Sequence, residues 1–138
     1  MFLLIIVSTS FNGGGDSLKK IVIGGQLDKA EIRELAEKYA NGKFEIEVKG
    51  DLDAAMALKN GQVDYYFGAC NTGGGGALAM ALALLGRDMC DTVSMPGKIK
   101  DEAEIRESVR NGKKAFGFTA QHKDVIVPIL MDELVKLN

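Results

Sequence analysis

Three Asn-Gly dipeptides punctuate the chain, at Asn41-Gly42, Asn60-Gly61 and Asn111-Gly112. Between two alternating apolar runs such a pair would close a hairpin. Here each follows a segment whose apolar residues recur every three to four positions, and each precedes a short β-prone run. Glycine then ends a helix in the left-handed conformation and launches a strand. Helix endings that each launch a strand describe repeated βα units, which imply a mainly parallel sheet covered on both faces. Right-handed crossovers leave few topologies. The expected fold is α/β: a three-layer αβα sandwich with a mainly parallel five-stranded sheet, flavodoxin-like or Rossmann-like.

The elements follow from periodicity. Ile21-Val22-Ile23 predicts a buried strand that stops at Gly24-Gly25. Asp28 then reads as an N-cap, with Ile32, Leu35, Ala36 and Tyr39 on one helical face. Phe44, Ile46 and Val48 alternate with charged residues, as in a half-exposed strand. Asp51 reads as the cap of a second helix with Leu52, Ala55 and Met56 inward. Val63 to Ala69 is the third strand, Ala77 to Leu85 the third helix and Cys90 to Ser94 the fourth strand. Asp101 to Arg110 predicts a helix with Ile105 and Val109 inward, and Ala115 to Phe118 the fifth strand. A final helix reaches about Leu137, with Ile126, Leu130, Leu134 and Leu137 on one side. Pro128 must lie near its first turn or kink it.

Residues 18–138 form one domain on this reading, with residues 1–17 a tail. Phe2 to Val7 is apolar but lacks a positive flank and a clean cleavage site, so a secretory signal is disfavoured. A disordered or loosely docked tail is the favoured expectation; the alternative is a native start near Leu18 or Lys19, with Gly13-Gly14-Gly15 translated from a purine-rich ribosome-binding site. A composition of 46% hydrophobic and 26% charged residues is that of a soluble globular domain, expected in the cytoplasm. The net charge of -2 has no basic cluster behind it, which argues against nucleic acid. No apolar run reaches a bilayer span. Two cysteines and one histidine give no metal-ligand spacing, and no cofactor motif is present.

The chemistry concentrates in Cys70-Asn71-Thr72-Gly73-Gly74-Gly75-Gly76, between the third strand and the third helix. A strand feeding a glycine-rich turn that opens a helix aims free N–H groups at one point, and the helix dipole favours an anion there. Flexible punctuation is the competing reading, yet a structural turn needs one or two glycines rather than four. No Gly-Lys-Ser/Thr closes the loop, so it is not a P-loop. Ligands of open parallel sheets bind beyond the carboxyl ends of the strands. Gly24 to Leu27, Lys49-Gly50, Met95 to Lys98 and Thr119 to His122 share that rim. Gly25 and Gln26 are therefore candidate ligand contacts. Cys70 reads equally as a nucleophile or base and as a small buried apolar residue. His122 is a candidate acid or base, or a capping residue. Lys98 and Lys100, after Pro96-Gly97, could supply charge to a bound anion, with a solvated loop the favoured reading; Asp64 and Cys90 read as structural, and Tyr65 and Tyr66 as sheet packing. Cys70 and Cys90 are expected at opposite ends of neighbouring strands, too far apart to bridge. The helix Ala77 to Leu85 is apolar all round, which predicts a homodimer face.

The phrases AAMALKNGQVDYYFGACNTGGGGALAMALALLG and KKAFGFTAQH resemble the YhfU-like bacterial family, known by a domain of unknown function. The resemblance spans Lys20 to Leu137 and implies a compact cytosolic domain without an assigned reaction. Its genomic context implies transport and small-molecule metabolic neighbours, hence an accessory role in a transport system as one alternative. Cys70, Thr72, Gly73 and Gly75 are also similar to the Cys-x-Thr-Gly-x-Gly turn of type B ribose-5-phosphate isomerases. That likeness implies a proton-transfer role for Cys70 and an anion-stabilising role for Thr72 and Gly73 to Gly75. It departs at Gly24-Gly25-Gln26 and Met95-Pro96-Gly97, where that family carries histidine motifs. The reading is a domain that binds a small anionic metabolite, a sugar phosphate or carboxylate. An aldose–ketose isomerase is the enzymatic alternative.

Overall fold

Gly61 and Gly112 adopt positive φ, at 76° and 94°, directly after the C-caps Asn60 and Asn111, so these two Asn-Gly pairs end helices as their sequence implies. Asn41 and Gly42, at φ 55° and 73°, instead form a tight turn closed by Lys43 N–H to the Ala40 carbonyl at 3.0 Å, after the first helix has already ended at Lys38. The computed structural model describes residues 18–72 and 75–138. Its elements in chain order are β1 (Lys19–Gly25), α1 (Lys29–Lys38), β2 (Phe44–Val48), α2 (Asp51–Lys59), β3 (Tyr65–Cys70), α3 (Gly75–Leu85), β4 (Cys90–Thr92), β5 (Ser94–Met95), β6 (Lys98–Ile99), α4 (Glu102–Arg110), β7 (Ala115–Thr119) and α5 (Lys123–Leu137). Five strands form one parallel sheet in the order β2-β1-β3-β7-β4. β5 and β6 make a separate antiparallel hairpin. The architecture is the expected three-layer sandwich.

The chain winds outward from β1 in both directions, to β2 on one side and to β3 on the other. The crevice between the carboxyl ends of β1 and β3 is therefore a topological switch point. β7 inserts between β3 and β4, which explains why every residue of both β3 and β7 is buried. One core lies between the sheet and α1, α4 and α5, around Ile23, Phe67, Phe116, Ile126 and Leu130. The other lies beneath α2 and α3, around Val22, Ala54, Tyr66, Leu78 and Ala115.

Several expectations give way. Ala55 is buried as expected, but Leu52 and Met56 face outward, and α2 buries Ala54, Ala57 and Leu58 in their place. Small alanines let α2 lie close on the sheet, and its larger apolar groups are left outside. Val48, Tyr39 and Leu137 are exposed because each sits at the end of its element, past the covering layer. The fourth strand stops at Thr92, and Ser94 turns away into the hairpin. Cys70 and Cys90 are not on neighbouring strands, because β7 separates β3 from β4; no disulfide joins them. Pro128 lies inside α5, beyond its first turn, and removes the bond that would have reached the Asp124 carbonyl. Ile105 and Val109 are buried as expected, and Asp101 caps α4 with its N–H bonded to Glu104 Oε1 at 3.2 Å. Expectations for residues 1–17, and for Gly73 and Gly74, lie outside the described residues.

Candidate functional site

The rim is organised by a residue the sequence reading assigns to plain packing. Gly24, Gly68 and Gly117 pair in register across β1, β3 and β7 on the face under α2 and α3. The fully buried Tyr66 ring lies across this row. A Cβ at Gly24 would stand 2.5 Å from Tyr66 Cε2, and one at Gly68 would stand 2.5 Å from the Ala77 carbonyl oxygen and 2.8 Å from the Tyr66 hydroxyl. The glycines thus admit both the ring and the first turn of α3. The Tyr66 hydroxyl accepts from Gly25 N–H at 3.1 Å and lies 2.8 Å from the Ala77 carbonyl. It also makes a short hydrogen bond to Asp51 Oδ1, which in turn accepts from Gly25 N–H at 3.1 Å. Burial raises the Tyr66 pKa far above the ordinary tyrosine range, and Asp51 adds to the effect. The hydroxyl therefore keeps its proton. One side chain ties together the end of β1, the start of α2 and the start of α3. Asp51 is the first residue of α2, where Gly50 is the cap, so its carboxylate serves this knot rather than capping.

Around the knot, the β1–β3 crevice gathers most of the candidate ligand residues. Gly25 sits at φ 71° and Gln26 N–H bonds the Ala69 carbonyl at 2.9 Å, which fixes β1 against the end of β3. A Cβ on Gly76 would meet Gln26 Oε1 at 2.7 Å, so the Gln26 side chain lies against the start of α3. Cys70 is buried, and its Sγ is 3.3 Å from Thr72 Oγ1. Asn71 and Thr72 are exposed. α3 begins at Gly75.

On the far side of β3, Cys70 pairs in register with Thr119, so both side chains point to the α3 face of the sheet. Thr119 is 3% exposed, and among the described residues its hydroxyl, like that of Ser108 on α4, has no hydrogen-bond partner. Buried hydroxyls are normally satisfied. Thr119 stands at the end of a central strand, beside Cys70. Thr119 N–H donates to Ser94 Oγ at 3.0 Å, and Ser94 Oγ lies 3.0 Å from His122 Nδ1. His122 is thus at the rim, held from the β4 side. Sequence reasoning places the segment Thr119 to His122 at the rim but singles out neither Thr119 nor Ser94. Strand parity would have found Thr119: it shares its face with Gly117 and Ala115 and stands alone there as a polar group.

The charges at the rim are largely matched. Lys123 Nζ pairs with Asp28 Oδ2 at 3.1 Å, which occupies the side chain expected to cap α1. Lys29 Nζ donates to the Lys49 carbonyl at 3.0 Å, and Lys49 pairs with Glu47 at 3.3 Å. Lys100 pairs with Asp91 at 2.9 Å. A cavity of about 300 Å³ lies beyond the sheet edge, lined among others by Ser94, Met95, Lys98 and Lys100. It is separate from the β1–β3 crevice. Asp64 Oδ2 accepts from Lys20 N–H at 2.8 Å, a structural clip at the opposite end of the sheet. Cys90 is buried at the start of β4, and burial raises its thiol pKa. Among the described residues no cluster of ligating side chains could hold a metal, and no helix is long and apolar enough to cross a membrane.

The model of a protein of unknown function, DUF2620, matches residues 19–134, the whole of this rim included. The chain belongs to the DUF2620 family. An uncharacterized protein YhfU of Escherichia coli (strain K12) is 42% identical over 118 residues, covering 85% of this chain and 99% of that relative. YhfU proteins of Escherichia coli O6:H1 and of Shigella flexneri match to the same extent. No solved structure matches the chain. Neither the family description nor the relatives' names carry a reaction, so function in this DUF2620 member has to be argued from the site itself.

Proposed function

We propose that the protein binds a small anionic metabolite, a sugar phosphate or carboxylate, at the carboxyl edge of the sheet around the end of β3. The observation that carries this reading is the unpartnered, buried hydroxyl of Thr119 beside Cys70. It adds a side-chain donor to a helix N-terminus, a position already suited to an anion. Amides of Gly73 to Gly76 with the hydroxyls of Thr72 and Thr119 would hold the charge. Asn71, Gly25, Gln26 and Cys70 would contact the rest, and His122 would stand at the edge as an acid or base. The isomerase alternative rests on the Cys70 thiol and Thr72 hydroxyl standing 3.3 Å apart; Cys70 would move a proton between adjacent carbons of a bound sugar phosphate. A thermal-shift screen of sugar phosphates and small acids tests binding: one chemical class should raise the melting temperature in proportion to concentration. A flat response across the screen would overturn the reading. Cys70→Ser separates the alternatives, since binding alone survives it and isomerase turnover does not.

The same reading includes self-association. Leu52, Met56, Met80 and Leu82 are exposed by 37% to 54%, and α3 carries no charged residue from Gly75 to Leu85. α2 and α3 pack side by side on the same face of the sheet, so the exposed Leu52 and Met56 of α2, with Asp53 and Lys59 between and beside them, adjoin the apolar outer side of α3. A two-fold axis sets a patch against itself, and the uncharged α3 part of this one meets no like-charge penalty there. Two short helices side by side offer roughly 300–400 Å², about half of what each subunit buries in a standard interface. A homodimer with micromolar dissociation is expected. Sedimentation showing a monomer throughout the micromolar range would remove the dimer and leave the face to a transport-system partner.

A further inference from the structure

We propose that Ser94 is a positioning residue for His122: its hydroxyl donates to Nδ1 and so makes the far nitrogen, Nε2, a fixed N–H donor at the rim. Thr119 N–H can only donate, so Ser94 Oγ accepts from it at 3.0 Å. Ser94 then has one hydrogen to place, and at 3% exposure it has no ready access to solvent. Among the described residues, the one acceptor within reach of that hydrogen is His122 Nδ1, 3.0 Å from Oγ. Were Nδ1 to carry the hydrogen instead, Oγ would accept twice and its own hydrogen would be buried without a partner. A buried donor left in that state costs about 1–3 kcal/mol, more than a typical hydrogen bond contributes. Neutral His122 is therefore the Nε2–H tautomer.

The ring has no other task in the fold. His122 is the residue before α5, yet its side chain makes no capping hydrogen bond. It is half-buried, and Ser94 is its hydrogen-bond partner among the described residues. Ser94 is itself anchored on two sides. Thr119 N–H ties it to the end of β7, and Lys100 N–H bonds the Val93 carbonyl at 3.0 Å, which closes the β5–β6 hairpin behind it. The chemical consequence is a restriction. The Nδ1 lone pair is occupied and Nε2 carries a hydrogen, so the neutral ring offers no accessible base. His122 can hold a ligand oxygen or pass a proton to it, and cannot withdraw one. In the isomerase alternative that leaves proton abstraction to Cys70 and gives His122 the carbonyl oxygen. Only this last consequence rests on the ligand reading above; the tautomer belongs to the free protein.

His122 is the single histidine of the chain, so its ring nitrogens can be read in the full-length protein without ambiguity. Long-range proton–nitrogen correlation spectra at about pH 9, above the ordinary histidine range, report which nitrogen carries the hydrogen. Wild type should show a protonated Nε2, a bare Nδ1 and a slowly exchanging Ser94 hydroxyl proton beside the ring. In Ser94→Ala the ratio of the Nε2–H to the Nδ1–H form should fall at least about fivefold, the factor that one hydrogen bond supplies. Ser94→Thr keeps the hydroxyl and should restore the wild-type pattern. A hydrogen on Nδ1 in wild type would overturn the assignment, and that spectrum decides alone should the variants fail to fold. Ring nitrogens unchanged in Ser94→Ala would also overturn it, since a merely structural serine gives that result. Both readouts are made without ligand, so they stand or fall apart from the outcome of the thermal-shift screen.

Discussion

Replacing Tyr66 with phenylalanine removes one oxygen and leaves the ring, so the packing over Gly24 and Gly68 stays intact. What disappears is the bond to the Asp51 carboxylate, the acceptor for Gly25 N–H at 3.1 Å and the contact to the Ala77 carbonyl at 2.8 Å. Gly25 N–H keeps Asp51 Oδ1 at 3.1 Å as a second acceptor. The Ala77 carbonyl can still take part in the helix ladder. The loss therefore reduces mainly to one hydrogen bond to a charged, half-buried carboxylate, worth about 2 kcal/mol. For a domain of this size that lowers the melting temperature by about 8 °C. Calorimetry of the full chain measures it. A double-mutant cycle with Asp51→Asn should show coupling of about 1 kcal/mol or more between the two sites. Hydrogen exchange at Gly25 and in the first turn of α3 should quicken, with β2 unchanged. A melting temperature within about 2 °C of wild type, or strict additivity in the cycle, would refute the argument that Tyr66 joins β1, α2 and α3.

Gly68→Ala places a methyl 2.5 Å from a backbone carbonyl of α3, which cannot rotate away. A loss of about 2–3 kcal/mol in urea unfolding is expected, and an unchanged midpoint would show that α3 does not sit where described. Glu133 is buried between Arg106 at 3.0 Å and Arg110 at 3.2 Å. Burial pushes its carboxyl up, and the two guanidiniums together hold it below the ordinary value of 4.5. A depressed carboxylate stabilises the fold above the unfolded value and loses that contribution as pH falls through the lower folded one. Wild type should lose stability below about pH 4.5 more steeply than Glu133→Gln; parallel acid curves would contradict the clamp between α4 and α5. Tyr66 has the opposite sense: its raised pKa means stability is lost as pH climbs past about 10, where unfolded tyrosine ionises. Tyr66→Phe should flatten that alkaline limb.

The fold was legible because the Asn-Gly pairs and the strand runs between them leave one family of solutions. Gly25, Gln26, Cys70, Asn71 and Thr72 meet in one crevice because strand ends do so in any parallel sheet. What stayed hidden depends on register. Nothing in the run Tyr65-Tyr66-Phe67 says which tyrosine lies over glycines, because Gly24 and Gly68 come together only once β1 and β3 pair. The outward turn of Leu52 and Met56 was equally unreadable, since α2 has apolar residues on both sides and its alanines decide how closely it packs. Ser94 looked like the last residue of a strand. It leaves the sheet because its hydroxyl binds Thr119 N–H and His122, partners about 25 residues further along the chain.

Thr119→Val offers the most direct measurement, because it exchanges one hydroxyl for a methyl of similar shape at the position on which the ligand reading rests. Melting curves of wild type and variant are compared without ligand and with glycolate. A hydroxyl that awaits a ligand stabilises nothing in the free protein, so the variant should melt at or above wild type and should lose most of the glycolate response. A variant that melts several degrees lower would show that the hydroxyl is already satisfied within the fold, and one that responds to glycolate as fully as wild type would show that it plays no part in binding.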